Sequence, residues 1–122
     1  MNSSFPPDPD LQKALNDLSI RAGKFWDLGA GPADQAFELA RRGSIFQYAF
    51  DPGVFSALSP QKRLIYAETL RKIIWTGGIL FLKCPYFSRP DLEKYFGKQF
   101  HIRSVKVEPK LRTLFCVLQC RK

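Results

Sequence analysis

Apolar residues along the chain follow helical spacing in some segments and form short continuous runs in others. At the start, Leu11, Leu15 and Leu18 fall on one face of a predicted helix. Asp8 is suited to cap this helix because its side chain can accept from a free backbone N–H. Residues 1–9 show no such spacing and are rich in proline, which predicts an extended arm.

The rest of the chain alternates predicted strands and helices. Five strands are predicted from the almost uninterrupted apolar run "ILFLKC" and from the strand patterns "KFWDL", "SIFQYAF", "FHIRSVKVE" and "LRTLFCVLQC". Further helices are predicted from Pro32, after Ser59 and from Pro90. In the helix after Ser59, the residues expected to face the core are Leu64, Ala67, Leu70 and Ile74, and Thr76-Gly77-Gly78 is expected to end it.

This order predicts one α/β domain over residues 1–122. Strands that alternate with helices form a parallel sheet, and the last two strands, joined by a short turn, predict an antiparallel end. We therefore expect a sandwich of about five strands, mostly parallel, with helices on both faces of the sheet.

Charge and hydropathy narrow the possible partners. The chain carries 19 Lys and Arg against 11 Asp and Glu, a net charge of +8, which permits an acidic partner such as nucleic acid. The cations are spread over predicted helix faces and turns, so nucleic acid is the less favoured partner. No apolar run is long enough to span a membrane, and no secretory leader is recognised at the start. The expected location is the cytoplasm.

The cysteines and the histidine give no sign of a metal site. Cys84, Cys116 and Cys120 lie in apolar strand-like runs, without further ligands at metal-binding spacing. They are expected to be buried free thiols. His101, the single histidine, begins another strand pattern and is expected at a strand edge rather than to act as a catalytic base.

A glycine turn between a strand and a helix is the first candidate for chemistry. "KFWDLGAGPADQAFELARRG" places Gly29-Ala30-Gly31 between the first predicted strand and the next helix. Glycines allow close approach to a ligand, and a helix start offers free N–H groups. The same arrangement also serves strand–helix packing alone, so the turn by itself leaves both interpretations open.

The longer stretch "DLGAGPADQAFELARRG" resembles the first motif of class I S-adenosylmethionine-dependent methyltransferases. "FDPGVFSALSPQKRLIYAETLRKIIWTGGILFLKC" is similar to the later half of that family. The resemblance covers about residues 10 to 120 and implies a Rossmann-like fold with S-adenosylmethionine as cofactor. It also implies a small-molecule methyl acceptor, since "DPGVFSALSP" is similar to the turn of members that act on small molecules.

The resemblance also implies which residues bind the cofactor. Asp27, Gly29, Ala30 and Gly31 would bound the pocket for its methionine end. Asp51, Gly53 and Phe55 would lie beside the transferable methyl group. The aromatic residues Phe50, Phe55 and Tyr86 are candidates to wall the sulfonium, because aromatic faces attract cations. For Asp51-Pro52-Gly53 the alternative is an ordinary turn, and for the aromatic residues it is the core.

Compared with that family, the chain is short between its first two predicted strands. The family carries two more strand–helix units there, and one such unit takes about 30 residues. The segment from Gly43 to Phe50 has room for one strand only. The acid expected to bind the ribose and the residue expected beside the adenine are therefore missing.

The shortening also reverses the direction in which the helix after the glycine turn must cross the sheet. Because crossovers are right-handed, three outcomes follow: the helix changes face, the strand order changes, or residues 1–43 swap onto a second chain. The swap predicts a homodimer, which is the outcome that we favour from the sequence.

Two functions therefore follow from the sequence. The first is a methyltransferase-like protein that binds S-adenosylmethionine weakly and transfers its methyl group to a small molecule. The second is an inactive, truncated methyltransferase fold that serves as a structural or interaction module.

Overall fold

The computed structural model of the chain describes residues 8–30 and 35–121. Residues 1–7 of the arm predicted over residues 1–9 lie outside this part, as do Gly31 and Pro32 of the glycine turn. The described helices are α1 (Pro9–Asp17), α2 (Gln35–Arg41), α3 (Val54–Ala57), α4 (Pro60–Ile73) and α5 (Arg89–Phe96). The strands are β1 (Phe25–Asp27), β2 (Phe46–Asp51), β3 (Ile74–Pro85), β4 (Phe100–Glu108) and β5 (Thr113–Cys120).

The five strands form a single sheet in the order β1-β2-β3-β5-β4. β1, β2 and β3 are parallel to one another, and β5 is antiparallel to both of its neighbours. The predicted sheet, mostly parallel with an antiparallel end, is confirmed. Because β1, β2 and β3 run the same way, their carboxyl ends lie along one edge of the sheet, which we call the carboxyl edge.

The two faces of the sheet are covered unequally. The side chains of α2, α4 and α5 pack on one face in the larger core, together with Phe55, Leu80 and Leu118. On the other face, of the described helices, α1 supplies the buried residues, Leu11 and Leu15, which pack on Phe81 and other strand residues. We call these the three-helix face and the α1 face.

The position of α2 on the three-helix face shows how the chain passes from β1 to β2. β1, β2 and β3 are consecutive neighbours, and the connecting helices α2 and α4 pack on the same face. Two successive crossovers in the same direction place their helices on one face only when both have the same hand. Three outcomes were expected from the sequence, and this chain shows the one in which the helix changes face. The helix after β1, α2, lies on the same face as α4, where it can connect β1 directly to the neighbouring strand β2.

The start of α1 is as predicted and is tied to the sheet by charge. Asp8 caps the helix, its Oδ1 accepting from the backbone N–H of Leu11 at 3.0 Å, and Pro9 follows at the first position. Lys83 Nζ on β3 donates to Asp8 Oδ2 at 2.9 Å and lies 3.5 Å from Asp10 Oδ2. Although burial raises the pKa of Asp8, the hydrogen bond from Lys83 and that from Leu11 lower it below its usual value.

The boundary between α4 and β3 differs from the prediction. α4 ends at Ile73 and β3 begins at the next residue, so Gly77-Gly78 lies inside the strand. A Cβ on Gly78 would stand 2.5 Å from the backbone oxygen of Gln47, so glycine is needed for β3 to approach β2. Leu64, expected in the core, is 44% exposed, while Tyr66 and Ile73 are buried instead.

The thiols and the histidine lie where the sequence predicts. Cys84, Cys116 and Cys120 are buried and free. His101 is exposed on β4, which is an edge strand of the sheet.

Candidate functional site

Two turns with the same sequence pattern meet at the carboxyl edge. β1 ends in Asp27-Leu28-Gly29 and β2 ends in Asp51-Pro52-Gly53. In each turn the aspartate Oδ1 accepts from the N–H of the glycine two residues later, at 2.9 Å and at 2.8 Å. This local bond is the usual aspartate-initiated turn, and it fixes the direction in which the chain leaves each strand.

Asp51 is enclosed by protein on all sides. Its side chain is 0% exposed. Besides the N–H of Gly53, the carboxylate accepts from the N–H groups of Val54 (2.6 Å) and Phe55 (2.9 Å) and from the hydroxyl of Tyr66 (2.8 Å). Two of these donors, the N–H groups of Val54 and Phe55, lie in the first turn of α3, where a helix offers no backbone acceptor of its own. Asp51 therefore serves as the anchor of the β2–α3 turn.

The protonation of this buried group follows from its surroundings. Burial raises the pKa of the Asp51 carboxyl, and the hydrogen bonds from Gly53, Tyr66, Phe55 and Val54 oppose that rise in part. Burial and the charge of Asp51 raise the pKa of the Tyr66 hydroxyl. Tyr66 thus keeps its proton and remains a donor to the carboxylate.

Asp27 is held more loosely. Its Oδ1 accepts from Gly29, and Oδ2 has no donor among the residues that the structure describes. The side chain is half-buried, and Gly29 beside it is exposed. A carboxylate oxygen at the end of a parallel strand, without a donor in the described part of the chain, can accept from an ammonium or hydroxyl group of a ligand.

The space beside the backbone of Gly29 is filled by another residue of the chain, Pro52. A Cβ on Gly29 would stand 2.4 Å from Cγ and 2.9 Å from Cδ of Pro52. The proline ring of the second turn therefore lies directly against the backbone of the first. Packing between the two turns explains Gly29 without a ligand, and it holds the turns in a fixed relation.

The aromatic residues predicted as walls are mostly core. Phe50 is 3% exposed on the α1 face, and Phe55 is 0% exposed on the three-helix face. The guanidinium of Arg63 lies 5.4 Å from the ring centre of Phe55 and 5.1 Å from that of Phe87. Arg63 also donates to the backbone oxygens of Phe55 and Ser56. The cation that these rings attract is therefore Arg63, and only Tyr86, at 64% exposed, is open to a ligand.

The two aspartates also belong to opposite faces of the sheet. Residues two apart on a strand share a face. Asp27 lies two residues after Phe25, which packs on the core of the α1 face, whereas Asp51 lies two after Ala49 of the three-helix core. The structure thus brings the two turns together through Gly29 and Pro52, but it does not point both carboxylates into one pocket.

The remaining predicted site residues are Ala30 and Gly31 of the first turn and Gly53 of the second. Ala30 lies in the 3₁₀ turn with Gly29, and Gly31 is outside the described residues. Gly53 stands before α3, and its N–H is taken by Asp51. The side chains of Asp51 and Phe55 are enclosed by protein and support the turn. Their expected place beside the transferable methyl group remains a prediction.

Sequence reasoning missed two residues that support the second turn. Tyr66 and Arg63 carry no motif of their own, whereas Pro52 was named only as part of the Asp51-Pro52-Gly53 turn. The available signal for Tyr66 was its position one residue before Ala67 on the helix, beside the predicted core stripe. The roles of Pro52 and Arg63 arise only from contacts between separate elements.

Two further findings concern metal ligands and membrane-spanning helices. In the described ranges, no three His, Cys, Asp or Glu side chains are grouped so as to hold a metal ion. No helix in those ranges has the length and apolar character required to cross a membrane.

Comparison with solved structures identifies the fold. A methyltransferase from Burkholderia thailandensis that acts at N1 of 1,6-didemethyltoxoflavin, solved with that compound and S-adenosylhomocysteine, has a TM-score of 0.72 at 14% identity, over 93% of this chain and 78% of that one. The N-methyltransferase NodS from Bradyrhizobium japonicum WM9, solved with S-adenosylhomocysteine, has a TM-score of 0.61 at 9% identity, over 95% and 90% of the two chains. TehB from Haemophilus influenzae has a TM-score of 0.60 at 13% identity, over 98% and 63%.

Comparison by sequence gives a different result. No family model matches the chain, and no curated protein matches it. Structural likeness at this level of identity establishes the fold and does not carry function with it. The chain has the Rossmann-like fold of class I methyltransferases, as its motifs predict.

Proposed function

We propose that the chain is a methyltransferase-like protein that binds S-adenosylmethionine weakly at the carboxyl edge, through the turn after β1. The observation that carries the proposal is the Oδ2 of Asp27, which has no donor among the described residues and lies beside the exposed Gly29 at the end of a parallel strand in a methyltransferase fold. Ligands of open α/β sheets bind outside the carboxyl ends of the strands, which is where this group lies.

The described residues fit the methionine end of the cofactor better than its nucleoside end. Asp27 can accept from the amino group of the methionine portion, and Gly29, in the 3₁₀ turn that follows, is exposed beside it. The ribose acid and the adenine wall expected in the family are missing from the sequence. Weak binding is the consequence that we expect, because half of the contacting surface is lost.

The chemistry asked of the protein is positional. S-adenosylmethionine supplies a methyl group on a positively charged sulfur, and a nucleophile on the acceptor displaces that sulfur in line. The chain's part is to hold the donor by Asp27, to keep the second turn rigid through Asp51 and Tyr66, and to offer Tyr86 as an exposed aromatic face. A small molecule is the acceptor class that we propose, following the resemblance of the "DPGVFSALSP" turn.

Calorimetric titration of the purified chain with S-adenosylmethionine and with S-adenosylhomocysteine tests this proposal. We expect saturable binding, weakened about tenfold by Asp27→Asn, since a charge-assisted hydrogen bond contributes about 1.5 kcal/mol. Glu68→Gln on the exposed side of α4 is the matched control and should bind as the unaltered chain does. Absence of heat at millimolar ligand would reject cofactor binding.

The second candidate is an inactive fold that serves as a structural or interaction module. Two observations favour it: Pro52 fills the approach that Gly29 allows, and the carboxylate of Asp51 is occupied by internal donors. Under this candidate both turns are architecture only. The same titration separates the two, because the inactive module gives no cofactor binding with either ligand.

A homodimer and a cytoplasmic location remain predictions. The handedness conflict that motivated the swapped dimer is resolved within one chain, since α2 lies on the face of α4. The argument for a dimer then rests on β1, which lies at the edge of the sheet formed by the described strands. A monomer mass by light scattering at micromolar concentration would exclude the dimer.

A further inference from the structure

The positive charge of the chain is concentrated at its C-terminal end. Residues 98–122 contain seven Lys and Arg and one acid, Glu108, so they contribute +6 of the net +8. Most of this segment is the antiparallel β4–β5 hairpin. Four of these cations, Arg103, Lys106, Lys110 and Arg112, lie on the strands of this hairpin or in the turn that joins them.

Two cations of β4 lie on the α1 face without acidic partners. Arg103 and Lys106 are exposed, and neither forms an ion pair with any described residue. The nearby acids are already engaged: Asp10 lies 3.5 Å from Lys83 Nζ, and Asp17 lies 3.2 Å from Lys13 Nζ. The charge of Arg103 and Lys106 is thus available to an anion.

These cations line a groove. The groove has a volume of about 240 Å³ and runs between α1 and the β4–β5 hairpin, with Phe115 and Val117 as its floor. Arg103 also lines a second depression, of about 370 Å³, which holds Gln47 and the exposed indole of Trp75. The two depressions share the lining residues Arg103 and Leu18, so they adjoin on this face, and we refer to them together as the groove.

We propose that this groove binds single-stranded nucleic acid, with Arg103 and Lys106 facing phosphates and Trp75 stacking on a base. Cations along a groove with an exposed aromatic residue are the combination that single strands use, because their bases are free to stack. A duplex keeps its bases stacked internally and would use the cations alone. This site lies on the α1 face, away from the turns at the carboxyl edge. The proposal therefore does not depend on cofactor binding.

A competing explanation exists for charges on an edge strand. Lys and Arg on an exposed edge keep one sheet from pairing with another, and that role requires no ligand. It predicts that position along the strand matters little and that Trp75 is irrelevant. The two explanations therefore differ in what substitutions do.

Fluorescence anisotropy with a labelled single-stranded RNA of mixed sequence, about 16 nucleotides long, tests the proposal across a salt series. The double variant Arg103→Gln/Lys106→Gln should lose at least about tenfold in affinity at 0.1 M salt, and the slope of log K against log salt should become shallower by about 1.4. Lys62→Gln/Lys72→Gln removes the same charge from exposed positions of α4 on the opposite face and should change affinity less than about twofold.

Trp75 provides the second test. Trp75→Ser should weaken binding about tenfold, whereas Trp75→Phe, which keeps an aromatic ring, should retain most of the affinity. In the Trp26→Phe background Trp75 is the only tryptophan, and its fluorescence should be quenched on binding.

Four results would overturn the proposal. They are no saturable binding at low salt, equal losses in the two double variants, equal competition by a duplex of the same sequence, and binding to phosphatidylserine vesicles in place of the oligonucleotide. Circular dichroism of each variant checks that the fold is kept.

Discussion

The turns after β1 and β2 share the pattern Asp-x-Gly and the same first hydrogen bond, yet they differ in almost every other respect. Asp51 is fully buried with four donors, and Asp27 is half-buried with one donor among the described residues. The difference comes from neighbours far away in sequence, above all Tyr66 on α4. A short motif thus fixes the local turn, while burial and partners decide whether its carboxylate supports the fold or is available to a ligand.

Among the substitutions that test this difference between the turns, Asp51→Ala is expected to have the largest effect on the free energy of unfolding. Removing the carboxylate leaves three backbone N–H groups and the Tyr66 hydroxyl without their acceptor in a buried place. We expect a loss of about 4 kcal/mol or more in the free energy of unfolding. Asp27→Ala should cost about 0.5 kcal/mol or less, because its partner is exposed. Urea unfolding measures both, and equal losses would erase the distinction between the turns.

Tyr66→Phe tests the long-range partner alone. The substitution removes one hydrogen bond to a charged group and keeps the ring that packs near Phe37. The expected loss is about 2 kcal/mol. Its effect should be reduced strongly in the Asp51→Asn background, since the two side chains act as a pair. Additive losses in that double-mutant cycle would contradict the assignment.

The two glycines should also respond differently. Gly29→Ala places a Cβ 2.4 Å from Pro52 Cγ, and we expect a loss of about 1 to 2 kcal/mol from overpacking. Gly53 has open space around its Cβ position and an extended φ of 168°, so Gly53→Ala should change stability by about 0.5 kcal/mol or less. Pro52→Ala should relieve the loss at Gly29. Thermal unfolding of the four variants, including the double, decides this.

The smallest effect is a difference in pH dependence. The folded pKa of Asp51 is raised, so its titration contributes stability below the ordinary value of 3.8 that is lost as the pH rises through the folded value. The folded pKa of Asp8 is lowered, so its contribution is present above 3.8 and is lost as the pH falls. Relative to Asp51→Asn the unaltered chain should lose stability with rising pH, and relative to Asp8→Asn it should gain. Unfolding titrations between about pH 3 and pH 7 would show these opposite slopes.

The sequence predicted the fold well where the signals were local. An apolar run and strand patterns located the five strands, and Asp8 with Pro9 located the start of α1. It failed at Thr76-Gly77-Gly78, where the glycines were interpreted as a helix end. They lie inside β3 because Gly78 must pass close to Gln47 on β2. That requirement depends on the sheet, which no local pattern contains.

The candidate site was predicted less completely. The motif placed both turns at the carboxyl edge correctly, because strand ends follow from strand positions. It could not show that Pro52 lies against Gly29, or that Arg63 occupies the rings of Phe55 and Phe87. Each of these contacts joins elements whose mutual approach is set by the packing of α3 and α4.

The position of α2 on the three-helix face has a consequence for how this chain relates to longer ones. In the longer fold that the resemblance implies, the corresponding helix lies on the opposite face of the sheet. Inserting two strand–helix units between Gly43 and β2 would therefore not restore that fold, because α2 would also have to move across the sheet. This chain and the longer fold that the resemblance implies therefore differ in the packing of a helix as well as in the number of strands.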